Sequence, residues 1–348
     1  MSLLDASLAI TMSAALGLGV PWLLMAMLAP VLENTERALA TNYRGRRVFL
    51  GLGVVWLAWA GCAIVAGVAF GSWFSGVATG SLLTLAGPFA LVAVALGMVD
   101  DALGSSETRG FRGHIKAMLS GRLTTGGLKL VGIGVASLVV ARVLADVSPW
   151  GAGWRDGVEV MLPVALAAAA IALTSNFVNL TDLRPGRALK VYSALASAGL
   201  VAVVFGLGPV ASQYVPARTP LVELVALGIM LLGPVVAVWR YDLGERGMLG
   251  DAGANAMGVV AGTFIVAGLP LWGLVAYTFV LLGLNLLSER VSFSALIERT
   301  APLKWLDSLG RLPEGAPSVE TQESSAQVPT DVGAARYHAH EDHETKEA

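Results

Sequence analysis

One cysteine, Cys62, occurs in the chain of 348 residues, and it lies inside an apolar run. A disulfide framework or a cysteine metal site is therefore excluded. Histidine is nearly as scarce, with 4 residues. Charge is scarce as well: Asp, Glu, Lys and Arg make up 14% of the chain against 55% hydrophobic residues, and the net charge of −2 provides no basic excess for a nucleic acid. What the chain does have is repeated apolar runs of about 20 residues, the length that crosses the hydrocarbon core of a bilayer. The runs are continuous rather than alternating, and a lipid-facing backbone must satisfy its own hydrogen bonds, so helices are expected and strands are not.

The expected fold is an all-α integral membrane protein, a polytopic bundle of about nine transmembrane helices. The spans fall near residues 8–32, 48–70, 79–99, 127–145, 158–178, 190–210, 219–239, 253–269 and 271–288. The first run is too long for a signal peptide and lacks a basic start and a small-residue cleavage site, so it reads as a retained span. Of the 23 Lys and Arg residues, all but Arg142, Arg155 and Arg218 fall on one side of the alternating topology. Positive residues stay cytoplasmic, which places the N-terminus outside and the C-terminus inside. Residues 1–290 then form the membrane domain. The stretch 291–311 mixes apolar and charged residues as helices lying on a membrane surface do. Residues 312–348 are too polar to fold alone and read as a disordered tail.

Four places on the cytoplasmic side carry polar groups at span ends. In "GMVDDALG", residues 97–104, Asp100 and Asp101 follow a long apolar run. Adjacent carboxylates project about 100° apart on a helix and repel each other, so they need a cation or open solvent nearby. In "GRLTTGGLKL", residues 121–130, Thr124 or Thr125 can cap a helix whose first turns hold Lys129, a setting for an anion or for a lysine that snorkels to the interface. In "NFVNLTD", Asn176, Asn179 and Asp182 recur every three residues on one stripe, and "LRPGRALK" adds Arg184, Arg187 and Lys190 beside it. These cations serve equally as topology signals. In "GDAGANAMG", residues 250–258, Asp251 sits among glycines at a helix start, where an N-cap is the simplest role. Together the four gather acids, amides and bases at one depth, as a metal-bound, phosphate-bearing ligand requires. Oxygen donors without Cys or His favour magnesium.

The order and spacing of these motifs resemble the polyprenyl-phosphate N-acetylhexosamine-1-phosphate transferases, the family that includes phospho-N-acetylmuramoyl-pentapeptide transferase. The anchors are "DD" after the third span, "TTGGLK" entering the fourth, "NxxNLxD" closing the fifth and "GDxGxxxxG" opening the eighth, within roughly residues 90 to 270. The resemblance implies an enzyme of the bacterial plasma membrane, commonly a homodimer, that moves a sugar-1-phosphate from a UDP-sugar to polyprenyl (undecaprenyl) phosphate for cell-envelope glycans such as peptidoglycan, with release of UMP. By the same resemblance Asp251 and Asn179 bind magnesium, Asp100 and Asp101 act on the lipid phosphate, and Lys129 lies near the diphosphate; Asn176, Asp182, Arg184, Arg187 and Lys190 are the candidates for substrate binding. The chain departs from the family pattern at Leu183 and Pro185, which replace the Gly and second Asp of a D-G-x-D-G run, and at Ala254, where serine is usual. The segment after the ninth span, "SERVSFSALIERT", has no histidine. A catalytically inactive relative that binds lipid phosphate or nucleotide-sugar as a regulator or scaffold is the alternative, and a phosphate-solute carrier fits less well because carriers bind near the bilayer midplane.

Overall fold

The computed structural model describes residues 1–73, 80–104, 110–151, 157–206 and 219–313. The long apolar runs fold as helices: α1 (Leu3–Glu33), α2 (Val54–Trp73), α3 (Gly80–Leu103), α5 (Thr125–Ala145), α6 (Met161–Thr181), α7 (Arg187–Gly206), α8 (Pro220–Leu243) and α10 (Leu271–Ser288). Among the described residues these eight are long and apolar enough to cross a membrane. The chain is thus an all-α polytopic membrane protein. A shorter α4 (Gly110–Leu119) lies between α3 and α5, and α11 (Phe293–Arg299) and α12 (Ala301–Ser308) follow α10. Residues 314–348 of the polar tail, with the histidines within it, lie outside the described residues.

The segment expected as the eighth span is α9 (Gly250–Gly268), 19 residues long. Every residue from Ala252 to Gly268 is buried. It packs against α3, α6 and α7 rather than standing among the lipid-facing helices. Small residues make this possible, because backbones must approach closely where no large side chain separates them. A Cβ built on Gly97 of α3 would lie 2.5 Å from the Cα of Ala252, and one on Gly258 would lie 2.3 Å from the Cα of Ser175. Ala, Val and Leu with a few large aromatics fill the interior, and three of those aromatics reach carbonyls: Trp59 Nε1 donates to Met230 O (2.6 Å), Trp150 Nε1 to Val266 O (3.0 Å) and Tyr192 Oη to Leu231 O (2.9 Å).

Two further features depart from the sequence reading. The second span starts at Val54, not at residue 48, because Val48, Phe49 and Leu50 belong to a strand. Strand β1 (Leu39–Thr41) pairs antiparallel with β2 (Arg47–Leu50), which pairs in parallel with β3 (Gly247–Met248). The turn between β1 and β2 is built by Asn42, whose Oδ1 accepts the N–H groups of Arg44 (2.9 Å) and Arg46 (3.0 Å), and by Gly45 at φ 76°. The sheet fixes the loop that enters α9 to the loop that enters α2. The second departure is a π-helical stretch at Ala14–Gly19 inside α1.

The amphipathic segment after α10 is helical as expected, and it is fastened to the bundle. Arg187 grips Asp307 with two bonds, Nε to Oδ1 (2.8 Å) and Nη2 to Oδ2 (3.1 Å). Arg311 Nη1 adds a third to Asp307 Oδ2 (2.7 Å), and Lys190 Nζ reaches the carbonyls of Leu306 (2.9 Å) and Asp307 (2.7 Å). Residues Met1–Leu312 consequently form one unit.

Candidate functional site

Three helix ends meet at the charged end of the bundle. The last turns of α3 bring Asp100 and Asp101, the first turns of α5 bring Lys129, and the first turn of α9 brings Asp251. Thr124 sets the start of α5: its Oγ1 accepts the Gly127 N–H at 3.0 Å, so the helix begins there and Lys129 points from its second turn. The Lys129 ammonium lies 2.8 Å from Asp100 Oδ2 and forms a second ion pair with Asp251 Oδ2. The three side chains are 14%, 16% and 26% exposed, which is dry enough for the ammonium to attract both carboxylates strongly.

The adjacent acids have separate partners. Asp101 Oδ1 accepts the backbone N–H of Asp251 (2.8 Å) and Oδ2 that of Ala252 (3.1 Å), so Asp101 caps α9 from another helix. Gly250 permits this approach: its φ is 66°, and a Cβ there would lie 2.7 Å from Asp101 Oδ2. Asp100 is left to face the ammonium. The repulsion expected between neighbouring carboxylates is thus offset by amides on one side and by Lys129 on the other.

The α6 stripe divides in the same manner. Ser175 Oγ donates to the Asn255 carbonyl and side-chain oxygen, both at 3.2 Å, and Asn255 Nδ2 donates to Asp251 O at 2.7 Å. Asp182 closes α6 beside the start of α9. Burial pushes its carboxyl well above the usual range; Asp242, Asp251 and Asp101 push it further, against the Gly250 N–H that favours the charged form. Asn179 lies one turn beyond Ser175 and one turn before Asp182, on the stretch of α6 that runs alongside the first turns of α9. Asn176 instead turns to α10, where its Nδ2 donates to Asn285 Oδ1 at 2.6 Å. Arg184 pairs with Glu298 and stacks over the Tyr43 ring at 5.3 Å, while Arg187 and Lys190 hold the α12 segment. The structure therefore brings Asp100, Asp101, Lys129 and Asp251 together with Asp182 close by, and commits Asn176, Arg184, Arg187 and Lys190 to neighbouring helices.

Several residues at this end escape a reading by motif. His114 on α4 bonds through Nδ1 to Thr124 Oγ1 at 2.8 Å and packs over Gly126, where an added Cβ would lie 2.5 Å from its ring. Asp242 accepts the Gly186 N–H and lines a small crevice with Asp182, Pro185, Tyr43 and Glu245. Glu245, at φ 51°, is buried and pairs with Arg44 Nη1 at 2.7 Å. Asp242 had a legible signal, since it ends an apolar run as Asp100 does; His114 had none.

Among the described residues no group of three or more His, Cys, Asp or Glu is placed to hold a metal by itself. The donor chemistry fits magnesium in its other mode, with one or two carboxylates and the remaining positions left to water and substrate phosphates. Asp251 is a carboxylate that could serve in that mode, with its Oδ2 paired to Lys129 in this structure. Asp101 is spent on backbone N–H groups. No family model matches the chain, and no curated protein matches it.

Proposed function

We propose that this protein is a phosphoglycosyltransferase that moves a sugar-1-phosphate from a UDP-sugar to polyprenyl phosphate at the cytoplasmic face of a bacterial plasma membrane. The observation that carries this reading is Lys129 held between Asp100 and Asp251, three residues from separate helices that the family resemblance assigns to one reaction. In the reaction an oxygen of the lipid phosphate bonds to the sugar-bearing phosphorus of the donor. The bond from that phosphorus to the bridging oxygen breaks, and UMP leaves with the electron pair. Such a transfer needs positioning and charge neutralisation more than covalent help.

The residues divide that work. Lys129 supplies a fixed positive charge for the diphosphate, and Asp100 accepts the residual proton of the lipid phosphate. Asp101 holds the start of α9, and so the place of Asp251. Magnesium, held by Asp251 and Asn179, supplies neutralisation of the diphosphate charge when bound. The product would serve cell-envelope glycan synthesis. A second reading, a lipid-phosphate or nucleotide-sugar binding protein without catalysis, draws support from Arg184 and Arg187, paired with Glu298 and Asp307, and from Lys190, bonded to backbone carbonyls, since none of the three is left over for the substrate of a transfer reaction.

The test is magnesium-dependent UMP release from a panel of UDP-sugars with undecaprenyl phosphate. Release that disappears in Asp251→Ala and Lys129→Gln supports transfer. No release from any donor, with lipid phosphate still bound, supports the second reading.

A further inference from the structure

Between α7 and α8 lies a groove of about 470 Å³, lined by Ser193, Leu232, Val235, Val236, Trp239 and Arg240. Val235 forms its floor at 3% exposure, and Val236 stands at its rim at 60%. Both helices are membrane spans, so an apolar groove on their outer face runs where lipid chains lie. Its lining turns polar at Trp239 and Arg240, near the C-terminal end of α8. Tryptophan favours the headgroup level of a bilayer, which sets the depth of that end.

Arg240 differs from the other arginines of the spanning helices. Arg142 pairs with Asp146 at 2.9 Å and Arg187 with Asp307 at 2.8 Å, whereas Arg240 has no carboxylate partner among the described residues. The guanidinium is exposed, but it is held: it lies 4.7 Å over the Tyr241 ring and donates from Nη2 to Tyr241 Oη at 2.6 Å. A guanidinium has five N–H donors in a rigid fork, so most remain free for a bidentate acceptor. The nearby acids are engaged elsewhere, Asp242 by the Gly186 N–H and Glu33 by Arg246 at 2.8 Å. Neither of these two acids is therefore available to a cationic headgroup.

The geometry points to a binding site for one anionic phospholipid of the surrounding leaflet, with an acyl chain in the α7–α8 groove and its phosphate on Arg240. The assignment is independent of the transfer reaction. It is tested by native mass spectrometry of the full chain released from vesicles of phosphatidylglycerol and phosphatidylcholine in equal amounts. The chain should retain phosphatidylglycerol in about fivefold excess, the preference that one basic side chain at an anionic surface confers. Arg240→Gln should retain the two lipids about equally, Arg240→Lys should keep a preference, and Val236→Trp, which fills the groove from its exposed rim, should lose both. An unchanged preference in Arg240→Gln, unchanged occupancy in Val236→Trp, or a wild-type chain recovered without lipid would each overturn the assignment. Unfolding temperatures of the variants in detergent identify any loss caused by misfolding.

Discussion

Lys129 is the only ammonium that the described ion pairs place between Asp100 and Asp251, and both carboxylates are largely shielded. Lys129→Gln removes their shared partner, and we expect a stability loss of about 2 kcal/mol, in the range for hydrogen bonds to charged groups, measured by unfolding in detergent. Asp182 is the opposite case, because burial and its acidic neighbours raise its carboxyl in the folded protein. A raised acid stabilises the fold below its unfolded value of about 4, and that contribution is lost as pH rises through the folded value. Asp182→Asn can still accept the Gly250 N–H and stays neutral, so its stability relative to wild type should increase between pH 5 and pH 8; a flat difference would refute this. Much of this corner was legible as residues, since acids that end an apolar run and a threonine that caps a helix both stand out in a chain with so little charge. Their pairing was not. Asn176 and Asn179 share a stripe, yet Asn176 turns to Asn285 more than 100 residues away, a choice set by helix rotation and neighbours rather than by spacing.

At the scale of the element, α9 carries the arrangement. It starts at a glycine in the left-handed region, is capped by Asp101 from α3, and packs by small residues on several sides. Gly97→Val puts branched carbon where the Ala252 backbone already lies, and the strain should cost about 1–3 kcal/mol or more. Because the displaced helix carries Asp251, the proposed UMP release should fall with stability, whereas Gly61→Ala on α2, where an added Cβ meets nothing within 4 Å, should lower neither. The spans could be read from the sequence because continuous apolar runs have one solution in lipid. The short sheet could not, since β3 offers two residues and its pairing depends on a loop far along the chain. The departure of α9 from the lipid-facing group is a consequence of its Gly- and Ala-rich composition, which suits a helix surrounded by others.

The whole molecule is closed at its charged end by the segment after α10. Leu296, Leu303, Trp305 and Leu306 are 40–65% exposed, as the surface-lying reading expects, while Asp307 is buried beneath Arg187 and Arg311. Burial alone would raise the Asp307 carboxyl; the Arg187 bond and the charges of Arg187, Arg311 and Lys190 outweigh it and hold the carboxyl below its usual value. A lowered acid stabilises the fold above its unfolded value of about 4 and loses that contribution as pH falls through the folded value. Tryptic cutting after Lys304 should therefore accelerate under acid preincubation, and Asp307→Asn should show the faster cutting already at neutral pH. The amphipathic pattern was visible in the sequence, but its clasp was not, because Arg187 and Lys190 read equally well as topology signals. The parallel pairing of Phe49 and Leu50 with Gly247 and Met248 bears on biogenesis. About two hundred residues separate the partners, so at synthesis rates of about 5–20 residues per second an emerging chain carries an unmatched strand edge for about 10–40 s. A ribosome stalled before Gly247 would leave that edge open to chaperones and quality-control proteases, and the charged corner would come into being only in the last stage of insertion.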